Sequence, residues 1–172
     1  GTAMRLIVLS TQLLPPVILV LPLFSLYLKL SLLNNHIGLI ISHITISLPF
    51  LAWILVSFFE GNLIYLEQAA RVEGASRFQA FLYIAIPVSA PGLIAAGVLA
   101  FILSWNEFIL ALILSGPQTN TIPVGLSSFQ THRGVDIAPL AAATICAITP
   151  VFILLPFMKK YLISGLSLGA LK

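Results

Sequence analysis

Four long apolar runs constrain this chain more than any other feature. Residues 6–28 and 138–158 carry no charge, residues 37–59 hold His43 as their one titratable side chain, and residues 87–115 hold only Glu107. About 20 apolar residues cross the hydrocarbon core of a bilayer as a helix. A backbone in lipid must satisfy its own hydrogen bonds, so each run is read as helical. The runs lack the alternation that the strands of a membrane barrel require. The expected fold is all-α, a polytopic membrane protein with about four transmembrane helices near residues 6–28, 37–59, 87–107 and 138–158. Pro15, Pro16 and Pro22 interrupt the first run and no substantial basic stretch leads it, so it does not read as a cleaved signal peptide.

Composition agrees. Hydrophobic residues make up 59% of the chain and charged residues 8%, against about 25% charged in a soluble domain. The partner of most of the surface is therefore the lipid bilayer. The lone Cys146 excludes a disulfide framework and a cysteine metal site. A net charge of +3 gives nucleic-acid binding no support. The placement of the charges matters more than their sum. Four crossings put Arg5, Arg71, Arg77, Lys159, Lys160 and Lys172 on one side and Lys29 and Arg133 on the other. The positive-inside rule makes the first side cytoplasmic.

Much of the charge is gathered in one island. Glu60, Glu67, Arg71, Glu73 and Arg77 lie in or just before "LEQAARVEGASRFQAF", residues 66–81. Leu63, Leu66, Ala69, Ala70 and Val72 form an apolar stripe at helical spacing, and Glu67 precedes Arg71 by one turn, the favourable order. Gly74 suits the left-handed turn that ends a helix. Ser76 with Gln79 three residues later reads as a capping box, starting a second helix. The loop over residues 60–81 is thus expected to form a helix, a glycine turn and a helix. Such a hairpin either rests on the headgroups or fills a groove on another protein. The small residues Ala69, Ala70, Gly74 and Ala75 favour the second use, because they offer little area to lipid but permit close backbone approach.

The segment "LEQAARVEGASRFQAFLYIAIPVSAPG" resembles the EAA loop of the ABC-importer permeases, in which E-A-A is followed by a glycine and, further on, by Leu/Ile-Pro. Gln68, Ala69, Ala70, Gly74, Ile86 and Pro87 carry the match. The flanking "LLPPVILVLPLFSLY", "LLNNHIGLI", "SLPFLAWILVSFF", "SWNEFILALIL", "TIPVGLSSF" and "GLSLGALK" are similar, in order, to the carbohydrate (maltose-type) branch of binding-protein-dependent permeases. The resemblance implies a type I ABC importer permease fold and a coupling role for Glu67, Gln68, Ala69, Ala70, Glu73, Gly74, Ser76 and Pro87. The helix over residues 63–72 would dock in a cleft of a cytoplasmic ATPase. That partner would bind ATP and Mg and hydrolyse the nucleotide; this chain would hold no cofactor. A second permease subunit and an extracytoplasmic solute-binding protein would complete the assembly in the cytoplasmic membrane. The chain departs from the pattern at Gln68, where the family has glutamate. The resemblance also aligns its start with the third of the family's usual six helices, so the first two are expected to be missing.

Trp105, Asn106 and Glu107 are candidates for the translocation path, since an acid in an apolar segment is a functional hypothesis by default. The competing reading is a helix end capped by Asn106 and Glu107 beside an interfacial Trp105. The run 108–114 is too short to span and is expected to fold back or meet a partner. His43 reads as a helix-to-helix hydrogen-bonding residue, with a proton relay as the alternative. His132, Arg133 and Asp136 fall in a polar loop over residues 116–137. Lys159 and Lys160 read as headgroup anchors, and Thr144, Cys146 and Thr149 as helix-packing residues. The chain has no G-x-x-x-x-G-K-[ST] and no H-E-x-x-H, so neither ATP hydrolysis nor a zinc protease finds support, and the resemblance implies a transport subunit, not an enzyme. A secondary transporter or channel driven by an ion gradient is the competing class. It would want paired acids or broken helices at the midplane. A truncated, non-transporting membrane fragment is the third.

Overall fold

The computed structural model describes residue 10 and residues 15–59, 62–131 and 134–170. Most of the first apolar run ahead of Pro15 lies outside them, as do Glu60, His132 and Arg133. Helix α1 spans Pro16–Lys29, with Pro15 as its N-cap and a proline in its first turn, where a missing N–H costs nothing. Helix α2 spans His36–Phe59 and α3 spans Asn62–Val72. Helix α4 runs over Arg77–Trp105. Two short helices follow, α5 at Ile109–Leu114 and α6 at Ile122–Ser127. A two-residue ribbon, Gln130–Thr131 against Gly134–Val135, is antiparallel, and the long α7 covers Ile137–Ala170. The molecule is an all-α membrane protein with that small ribbon in a connection.

Stretches of α2, α4 and α7 are long and apolar enough to cross a membrane, at His36–Val56, Arg77–Trp105 and Ile137–Pro156, while α1 is a shorter apolar helix. No break separates the second arm of the charged hairpin from the membrane run beyond Pro87. The two are one helix with a widened turn, Phe81–Ala85, in π geometry. Its cause is local. Pro87 has no N–H and its ring crowds the carbonyl one turn earlier. The chain responds by letting the Ile86 N–H bond Phe81 O, five residues back.

Helix α4 packs against both α2 and α7. Its buried positions are small, Ala80, Ala85, Ser89, Gly92, Ala95 and Ala96, which suits close approach where lipid supplies no hydrophobic drive between helices. A second cluster joins α1 to α5 through Val20, Tyr27, Leu110 and Leu114. The outward faces are apolar, with Ile37, Ile41 and Leu48 exposed on α2 and Ile145, Ile148 and Phe152 on α7. In water this surface would be a liability; in lipid or against partner helices it is the expected finish.

Candidate functional site

The charged hairpin is built by two interlocking caps. At the end of α3 the Ala75 N–H bonds Ala70 O at 3.0 Å and the Gly74 N–H bonds Arg71 O at 3.2 Å. This is the paired bonding of a Schellman motif, and it needs a left-handed residue. Gly74 supplies it with φ of 98°. Two residues later the Gln79 N–H donates to Ser76 Oγ at 3.2 Å and the Ser76 N–H donates to Gln79 Oε1 at 2.9 Å, a complete capping box. Little slack remains between the arms, and α3 folds back onto the π turn at the base of α4. Leu63 is buried, whereas Tyr65, Val72 and Phe78 are 70%, 89% and 71% exposed. Gln68, Ala69, Glu73, Gly74 and Ser76 are exposed too, Glu67 and Ala70 partly so, and Pro87 lies exposed on α4 beyond the hairpin. Three large apolar side chains standing free among charges and small residues form a surface suited to a protein groove.

The opposite end of the bundle is polar and also tied. Helix α4 stops at Trp105, where the Asn106 side chain donates back to Ile102 O at 2.8 Å. Glu107 is a helix cap, one of the two roles its sequence offered, but at the next helix. Its two carboxylate oxygens accept from the N–H groups of Leu110 and Ala111, at 2.8 and 2.9 Å, so it caps the start of α5 rather than the end of α4. An acid is favourable there, because the first N–H groups of a helix lack partners. The run over 108–114 folds back as α5 and packs its buried Leu110 and Leu114 on α1. Trp105 is no simple interfacial anchor. Its indole N–H donates to Ala147 O on α7 at 3.1 Å, and its ring stacks on Phe101 at 5.2 Å.

The turn between α1 and α2 is locked to the turn after α5. The Asn34 N–H bonds Leu114 O at 3.0 Å. Thr119 Oγ1 donates to Asn34 Oδ1 at 3.0 Å and accepts from the Gly116 N–H at 3.1 Å. A Cβ on Gly116 would stand 2.6 Å from the Asn34 side chain. Asn34 itself holds a left-handed φ of 50°, a conformation asparagine tolerates better than most residues. Sequence reading missed this latch, whose partners lie far apart in the chain; only the polar pair "NN" between two apolar runs hinted at it.

Within the bundle, His43 Nδ1 lies 2.7 Å from Ser104 Oγ, joining α2 to α4 as the helix-bridging reading expected. Ser42 Oγ donates to the Tyr27 hydroxyl at 3.1 Å, a second polar tie, between α2 and α1. Thr144 and Thr149 turn their hydroxyls back to Leu140 O and Ile145 O of their own helix, and Cys146 is exposed. The side chains of Lys159 and Lys160 lie outside the described residues.

The chain is thus a polytopic helical bundle with an exposed, charged hairpin at one end. The chain belongs to the family of binding-protein-dependent transport system inner membrane components, whose model matches residues 1–167. It is similar to the permease protein of the sulfoquinovosyl glycerol transport system of Agrobacterium fabrum, 38% identical over 96% of this chain and 59% of the relative. The trehalose/maltose transport system permease of Thermococcus litoralis is 35% identical over 96% of this chain and 60% of its own length. The trehalose transport system permease of Mycobacterium tuberculosis is 34% identical over 92% and 59%. The chain thus spans about three-fifths of the length of these three relatives.

Proposed function

We propose that this chain forms part of the permease subunit of an ATP-driven importer for a sugar or sugar-like solute. The family and the sugar-transport names of its relatives support the class. The observation that carries the mechanism is the hairpin. Helix α3 is clamped by a Schellman turn and a capping box onto a helix that continues, through one π turn, to the far end of the bundle. At about 1.5 Å per residue, the 29 residues of Arg77–Trp105 span about 43 Å, more than the hydrocarbon core of about 30 Å. A push on Tyr65, Val72 and Phe78 is therefore delivered along α4, not absorbed in a loose loop. The partner that pushes is a cytoplasmic ATPase, which carries ATP and Mg. A second permease subunit completes the path, and an extracytoplasmic solute-binding protein delivers the solute. The hairpin faces the cytoplasm.

The ion-coupled alternative loses its best residue in this geometry. Both oxygens of Glu107 are committed to backbone N–H groups, so its carboxylate is a structural cap. The test is co-purification of the full-length permease with its ATPase, with solute uptake measured in proteoliposomes. Gly74→Val is expected to leave the permease in the membrane but to reduce solute-stimulated ATP hydrolysis at least tenfold. Wild-type coupling in that variant, or a permease that captures no ATPase, contradicts the proposal.

A further inference from the structure

A groove lies between α2 and α4. It is lined by His36, Leu39, Ile40, His43 and Ile44 of α2 and Ser104 of α4, and its volume is about 380 Å³. That falls in the range of small-molecule sites, which combine mostly apolar walls with a few convergent polar groups. The walls here are leucine and isoleucine, and the polar groups are two imidazoles and a hydroxyl. His36 opens α2 and Ser104 stands one residue before the end of α4, so the groove lies in the half of the bundle away from the hairpin. His43 sits two turns in from His36, about 10 Å along the helix axis.

The chemistry of His43 says what the groove is suited to hold. A neutral imidazole has one donor nitrogen and one acceptor nitrogen. Nδ1 is taken by Ser104 Oγ at 2.7 Å, which leaves Nε2 for the groove. A ring nitrogen facing hydrocarbon would forfeit a hydrogen bond. Polar groups within a membrane accordingly face a bundle interior or a wet cavity. Ser104 can reverse its hydroxyl, so Nε2 becomes a donor or an acceptor to suit its partner. A hydroxyl of a polyol, itself donor and acceptor, fits either state, and the Leu39, Ile40 and Ile44 side chains offer apolar contact to the C–H face of a sugar ring.

We infer that the groove lined by His36, His43 and Ser104 is a solute subsite for a neutral, hydroxyl-rich molecule, met as the solute enters from the end opposite the hairpin. The subsite rests on the importer reading. His43 holds a solute hydroxyl through Nε2, Ser104 orients the ring, and His36 stands at the mouth.

The experiment uses the complete transporter in proteoliposomes with its binding protein, and radiolabelled trehalose and maltose as probes. His43→Ala is expected to raise the KM of uptake about tenfold. Ser104→Ala is expected to raise KM about threefold, with His43→Gln intermediate. An Ile40→Cys probe in a Cys146→Ser background reads the groove without touching His43. It should react with a charged, water-soluble thiol reagent, and the transported sugar should slow that reaction at least threefold. An unchanged KM in His43→Ala, or an Ile40→Cys thiol inert to the aqueous reagent, overturns the subsite and leaves the importer standing. A wild-type complex that carries neither sugar nor any other polyol overturns both.

Discussion

Gly74 and Ser76 show how far single residues carry this fold. Both roles were legible in the sequence, because caps are local: a glycine after a helical stripe, then Ser and Gln three apart. Gly74 has φ of 98°, and a Cβ there would meet nothing within 4 Å. Substitution therefore costs backbone strain alone, about 1–2 kcal/mol for valine and less for asparagine. Ser76→Ala removes one half of the capping box, at about 1 kcal/mol. Hydrogen exchange over residues 66–81 should rank the variants valine fastest, then Ser76→Ala, then Gly74→Asn near wild type. An asparagine variant as fast as valine contradicts the strain account. Gln68 needs no such compensation. Its side chain is exposed, and neither cap uses it, so the departure from glutamate leaves the hairpin intact.

At the scale of elements, legibility depended on sequence distance. The existence of α2, α4 and α7 followed from apolar length, and the helix-bridging role of His43 followed from the cost of a lone polar group in lipid. Its partner Ser104, 61 residues away, did not, and neither did the bond between Thr119 and Asn34, 85 residues apart. Nothing local marks such pairs. For Glu107 the sequence offered the cap but not the helix it serves, for another reason. It lies between two helices and could cap either, and only the backbone direction after Phe108 decides that its carboxylate meets the N–H groups of α5. That assignment is testable. Glu107→Ala strips two charge-assisted hydrogen bonds and should destabilise the α5 fold-back by about 2 kcal/mol, with Glu107→Gln costing about half. The measurement is exchange at the Leu110 and Ala111 amides, expected to rise about 30-fold in the alanine variant, the same 2 kcal/mol expressed as a rate. Unchanged protection of both amides would remove the cap from the account.

Across the whole molecule, the two ends are rigid for opposite purposes. At one end the caps stiffen α3 against the base of α4. At the other, Asn34, Thr119 and Glu107 lock the turns, and Trp105 fastens α4 to α7. Between them α4 packs through small residues, which let neighbouring helices approach closely without interlocking large side chains. A bundle held at its ends and smooth in its middle is suited to rocking as a unit. The scheme requires the hairpin and the Gly116–Thr119 turn to lie on opposite sides of the membrane, with Arg71 and Arg77 on the cytoplasmic side, as the positive-inside rule directs. In the full-length permease with Cys146→Ser, single cysteines at Glu73 and Gln118, both exposed, report the two ends. An impermeant maleimide applied to intact cells should label Gln118→Cys at least tenfold faster than Glu73→Cys. Inside-out vesicles stripped of peripheral proteins should reverse the order. Labelling of both positions from one side breaks the crossing of α4, and a reversed order in cells inverts the molecule and removes the ATPase from reach of α3.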